Sequence, residues 1–134
     1  MESESFDREA LRAVMARVPE LVDVPADEWD IAPLAGLTNR SFRLRARGRD
    51  YVLRVPGPGT ERFISRAAEA ANLAAAVAAG VAPPLVRSDA SGVQLSVFVD
   101  ESRALAPEDL RQPAVLAEVA FLLRRLHECE AAFQ

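Results

Sequence analysis

The sequence predicts an α+β fold: a five-stranded antiparallel sheet, one long helix packed on it, and helices at the N- and C-terminal ends. Three observations carry this. Short apolar segments alternate with turn residues between Trp29 and Val55. A long alanine-rich run follows, fenced by Pro56-Gly57-Pro58-Gly59 before it and Gly80 after it. Both ends of the chain place apolar residues at the three-to-four spacing of a helix.

The elements follow in order. Phe6 to Val18 carries Leu11, Val14, Met15 and Val18 at helical spacing, and Pro19 and Pro25 lie beyond its end. Trp29 to Ala35 reads as a first strand. Phe42 to Ala46 puts Phe42, Leu44 and Ala46 on one face and arginines on the other, the alternation of a half-exposed strand. Gly48-Arg49-Asp50 signals a hairpin into a third strand, Tyr51 to Val55. Thr60 is the expected N-cap of a helix running to about Ala79, with Gly80 as its C′ residue. Leu85 to Arg87 and Val93 to Val99 are two further strands around the turn Asp89-Ala90-Ser91-Gly92. Pro107 to Leu110 and Ala114 to Cys129 are helical, the latter aligning Leu116, Val119, Leu122, Leu123 and Leu126. The expected division is an N-terminal helix and lead-in over 1–28, a nucleotide-binding lobe over 29–100, and a linker with helices over 101–134.

At 134 residues the chain is long enough for one domain with a buried core, but only 6% of it is aromatic, so Ala, Val and Leu must fill that core. All sixteen basic residues are Arg, and the formal net charge of −4 disfavours a dedicated nucleic-acid binder. The Arg43/Arg45/Arg47/Arg49 stripe could touch an acidic ligand, although spacing by two on a half-exposed strand is the mark of a solvated face. A single Cys129 excludes an internal disulfide and suits a reducing compartment. The acidic, polar start MESESFDRE is no signal peptide, and the uncharged run Ala70–Val86 is broken by Gly80, Pro83 and Pro84. A cytoplasmic protein without membrane contact is expected.

From Pro33 to His127, roughly 70% of the chain, the order of motifs resembles the N-terminal lobe of choline/ethanolamine kinases, within the aminoglycoside phosphotransferase-like kinases. The likeness rests on AGLTN, YVLRVPGPGT, the run ISRAAEAANLAAAVAAGVAPPLV and LRRLHE, together and in that order. Arg at the strand position, the following GPGT and the I-x-R-x-x-E helix resemble the choline-kinase branch, where antibiotic kinases usually carry Lys. Glu101 departs from the pattern, standing where many relatives have Gly.

The resemblance implies a job for each residue. Arg54 would be the fixed cation over the phosphates of ATP, able to grip two oxygens at once, and Glu69 would pair with it and aim it. Taken alone, Arg54 could be a solvated strand charge and Glu69 a helix-surface partner of Arg66. The turn Gly36, Leu37, Thr38, Asn39 and Arg40 would cover the phosphates with backbone N–H groups. Val52 would pack on the adenine, and Phe98 and Val99, at the end of Ser96–Val99, would offer backbone groups to the base edge. His127 is expected to be structural, and Cys129 inert.

Relatives keep the catalytic base and the magnesium ligands in a second lobe, in an H-x-D-x-x-x-x-N loop and a later acidic motif. Neither occurs in this chain, which has one His and no Asp or Asn after it. The expectation is an ATP-binding lobe whose catalytic lobe is missing from this chain, with no catalytic and no metal-ligating residue of its own and an acceptor such as choline bound elsewhere. Fragment, split subunit and stand-alone product all fit, with a homodimer or a split-subunit partner covering the apolar side of the last helix. A kinase of another substrate, a non-catalytic nucleotide- or partner-binding module and an Arg-striped nucleic-acid or acidic-ligand binder remain open beside it.

Overall fold

A computed structural model describes residues 8–36 and 39–134. Its elements run α1 (Arg8–Met15), β1 (Asp30–Leu34), β2 (Asn39–Ala46), β3 (Arg49–Pro56), α2 (Arg66–Ala78), β4 (Leu85–Ser88), β5 (Gln94–Val97) and α3 (Pro113–Glu128), with single 3₁₀ turns at Thr60–Arg62 and Asp109–Arg111. The five strands form one sheet in the order β1-β2-β3-β5-β4, every neighbouring pair antiparallel. The α+β class and the strand count are those expected.

Several boundaries differ from expectation for local reasons. Arg47 (φ 50°) and Gly48 (φ 73°) both adopt left-handed backbone, the conformation of a two-residue type I′ hairpin, so β3 begins at Arg49 instead of Tyr51. The helix expected from Thr60 is two pieces. Thr60 spends its hydroxyl on the Gly57 carbonyl (2.8 Å), and Ser65 caps α2 by accepting from the Ala68 N–H (3.3 Å). At the other end Gly80 N–H bonds Val77 O and Val81 N–H bonds Ala76 O, the Schellman pattern that needs the left-handed glycine (φ 72°). α1 stops at Met15, three residues early, and β5 stops at Val97, two residues early.

Alternation gives the sheet two unlike faces. Phe42, Leu44, Ala46, Leu53 and Leu95 point to one side, where Leu11, Met15, Val18, Leu21, Val24 and Trp29 cover them to form the core. The N-terminal segment thus does most of the burying. α2, built largely of Ala, buries only Ala75 among its residues, since a methyl group has little area to remove from water. The arginine stripe is stapled down: Arg47 pairs with Glu28 (2.7 Å), Arg49 with Asp23 (3.0 Å), and Arg43 and Arg45 with Asp50 (2.5 and 3.2 Å). Arg87 of β4 adds a pair with Glu20 (2.6 Å). Two of the stripe's arginines and Arg87 thus hold the N-terminal segment across the sheet.

Candidate functional site

The opposite face of the sheet is polar, and register places its residues. Ser41 lies across from Arg54, Arg54 across from Gln94, and Val52 sits between Arg43 and Ser96. Each is one step out of phase with the core residues, so this face turns away from the core. Arg54 stands at its centre and α2 approaches it there.

The Arg54 guanidinium is held from three sides. Nη2 meets Glu69 Oε1 at 2.5 Å, and Nη1 donates to Gln94 Oε1 at 2.9 Å. With its amide oxygen turned to the guanidinium, Asn39 accepts from Nη2 at 2.6 Å and from Nε at 3.0 Å. Each contact comes from a different element, β2, β5 and α2, so the cation is fixed by the fold and not by its own rotamer. Its side chain still keeps 30% of its surface exposed, against 15% for Glu69. A charge fixed in place and partly open to solvent can meet an anion without reorganising.

Glu69 has a second partner. Arg66 Nη1 meets its Oε2 at 2.7 Å, so the pairing with Arg54 and the pairing with Arg66 coexist. Burial pushes the Glu69 carboxyl up, but the hydrogen bonds from Arg66 and Arg54 outweigh it and leave the group below its ordinary value.

The remaining expected residues divide. Val52 lies on the same face as Arg54, two positions away, and is half-buried. Asn39 is the first residue of β2, not part of the preceding turn, which is why it reaches Arg54. Gly36 is tightly seated: a Cβ on it would fall 2.6 Å from the Asn39 carbonyl oxygen. Leu37 and Thr38 lie outside the described residues. Arg40, also expected in the turn, is an exposed residue of β2. Phe98 and Val99 follow the end of β5, and the Phe98 N–H is donated to Asp50 O (3.0 Å). Arg43 lies over the Phe98 ring, 3.7 Å from its centroid.

Sequence reasoning missed Gln94. The alternation Val93-Gln94-Leu95-Ser96 marks it as off the core face, but only the β3–β5 register shows it opposite Arg54. Among the described residues, no cluster of three or more His, Cys, Asp or Glu side chains could hold a metal ion, and no helix is long and apolar enough to cross a membrane. His127 is exposed in the last turn of α3, and the Cys129 thiol donates to Leu126 O (3.1 Å).

No family model matches the chain. It is 34% identical over 102 residues to the protein LicA of Haemophilus influenzae, covering 75% of this chain and 30% of LicA. A solved choline/ethanolamine kinase family protein from Mesorhizobium loti superposes on 94% of this chain and 40% of its own, with 32% identity and a TM-score of 0.75. An ethanolamine kinase of Plasmodium vivax shares the fold at 21% identity and a TM-score of 0.77, over 91% of this chain and 33% of its own. Choline kinase LicA of Streptococcus pneumoniae shares it at 19% identity and a TM-score of 0.55, over 72% of this chain and 32% of its own. The chain therefore spans well under half the length of the relatives it matches. In sequence and in fold it resembles the N-terminal lobe of choline/ethanolamine kinases.

Proposed function

We propose that this chain is the ATP-binding lobe of a small-molecule kinase, one that transfers phosphate from ATP to a hydroxyl of choline or a related amino alcohol. The observation that carries this reading is the Arg54 guanidinium, fixed by Glu69, Gln94 and Asn39 yet open on one side. Phosphoryl transfer is mostly positioning and charge neutralisation, so a pre-fixed cation is what such a lobe has to provide. Four of the five Arg54 N–H groups are taken by Glu69, Gln94 and Asn39, which leaves one Nη1 N–H and the fixed positive charge to meet a phosphate oxygen. On this reading Val52 would pack on the adenine, and Phe98 and Val99 would offer backbone groups to its edge. ATP would supply the phosphoryl group, and the acceptor site, the aspartate that takes its proton and the magnesium ligands would lie in a second lobe; the solved Mesorhizobium loti protein is matched over 40% of its length.

α3 supports the same reading. It buries none of its residues, and Leu116, Leu122 and Leu123, which share one side of the helix, lie 42–52% exposed. An apolar helix face of that kind is the expected seam with a second lobe. Titrating ATP into the wild-type chain and Arg54→Ala tests the proposal. Loss of charge-assisted hydrogen bonds of about 1.5–3 kcal/mol predicts roughly 10- to 100-fold weaker binding in the variant. Equal affinities would overturn the site. Choline-dependent ATP turnover, gained when the remaining lobe of a relative is supplied, separates a kinase from a nucleotide-binding module without chemistry.

A further inference from the structure

Glu69 is squeezed between two guanidiniums, and the second of them is the more firmly built in. Arg66 exposes 13% of its side chain. Its Nη1 holds Glu69 Oε2, and its Nη2 donates to Thr60 Oγ1, whose hydroxyl is itself anchored on the Gly57 carbonyl. Its stem lies across Gly92, where a Cβ would stand 2.7 Å from Arg66 Cδ and 2.8 Å from Nε, with Pro56 Cγ at 3.0 Å. Gly92 has φ 88°, so the turn Asp89–Gly92 both requires a glycine there and clears the space the arginine fills. Loop, helix and hairpin all converge on holding a cation that itself points at Glu69.

The charges around this point explain why. Arg54 and Glu69 alone would be a neutral pair, and a triphosphate approaching Arg54 would meet the Glu69 carboxylate only a bond length behind it. Adding Arg66 makes the group two cations and one anion, while Gln94 and Asn39 are neutral. At the effective dielectric of a protein surface, unit charges a few ångströms apart still interact strongly, so this sign matters. Resting on the ATP-binding reading above, we propose that Arg66 is a positioning residue that cancels the Glu69 charge, so that Glu69 can aim Arg54 without repelling the phosphates. Gly92 is its seat.

The test is a double-mutant cycle on ATP affinity with wild type, R54A, R66Q, R66K, E69Q and R66Q/E69Q. R66Q is expected to bind ATP about tenfold more weakly, and R66K to stay within about threefold of wild type. The deciding arm is the double variant. Removing the Glu69 charge in the R66Q background is expected to restore most of the lost affinity, because no carboxylate is left to neutralise. If Arg66 only holds the fold, R66Q/E69Q binds no better than R66Q, and the proposal fails. A second readout needs no nucleotide: the Glu69 carboxyl, followed by NMR, is expected to titrate higher in R66Q than in wild type, and an unmoved titration would equally refute the idea. R66K and Gly92→Ala, which leaves every charge in place and displaces the Arg66 stem, cover the case in which R66Q does not fold. Wild type and R54A with equal ATP affinity, or none, overturn the ATP reading and this inference with it. R54A weakened while R66Q equals wild type overturns the inference alone.

Discussion

The pairing of Arg54 with Glu69 was legible through the family resemblance, since taken alone each could be a solvated charge, one inside a strand and the other on an alanine-rich helix beside Arg66. Their partners were less so. Asn39 looked like a turn residue since Gly-x-x-Asn is a turn composition, yet it opens β2 and accepts from Arg54. Gln94 depends on strand register, which composition does not encode. Glu101, by contrast, was flagged by its departure from the family's Gly, and the backbone gives the reason: its φ is 56°, the left-handed region where a side chain is strained. Glu101→Gly is expected to stabilise the chain by a few tenths to about 1 kcal/mol, glycine's unfolded-state entropy offsetting part of the relief. A thermal melt reads it as a rise of about 1–4 °C, and a lower Tm would refute it.

Among the elements, the sheet followed expectation because its strands alternate cleanly, whereas the helix ends moved. Thr60 and Ser65 are both acceptable N-caps, and only the tertiary contact of Thr60 with Gly57 and Arg66 decides between them. The linker before α3 shows a similar hidden organiser. Asp109, buried, takes a bidentate grip from Arg103 (2.5 and 2.7 Å) and the Ala106 N–H (2.7 Å). The Arg103 hydrogen bonds, then that from Ala106, pull its carboxyl down from 3.8 to about 2. Because the folded value lies below the unfolded one, the stabilisation is fully present above pH 3.8 and is lost as pH falls from there towards 2. Protection of the amides over Ala104–Arg111, taken against the exchange of an unfolded chain at the same pH, is expected to fall across that window in wild type. Asp109→Asn abolishes the pH step; a step that persists in the variant would assign it to another group.

For the molecule as a whole, the sheet separates two tasks. One face is sealed by the N-terminal segment; the other carries Arg54, Val52 and the approach of α2. α3 stands apart, touching α2 through Arg125, whose guanidinium lies against Gly80, and through the chain end, where Asn72 and Gln134 exchange two hydrogen bonds (2.8 and 3.0 Å). Since its leucines are exposed already, replacing Leu122 and Leu123 by Gln is expected to change stability by less than about 0.5 kcal/mol each. Denaturant unfolding of the double variant checks this; a loss of several kcal/mol would mean that those side chains are buried in solution.

The covering of the sheet by the N-terminal segment also fixes an order of events at the ribosome. Leu11 to Trp29 are made first, but Leu44, Leu53 and Leu95, which they cover, come later, the last of them 66 residues after Trp29. At about 5–20 residues per second that gap lasts roughly 3–13 s. Phe42, Leu44 and Leu53 are made within that gap, so the cap can begin to pack before Leu95 completes the core. The core over the N-terminal segment therefore closes fully only after β5 has been made.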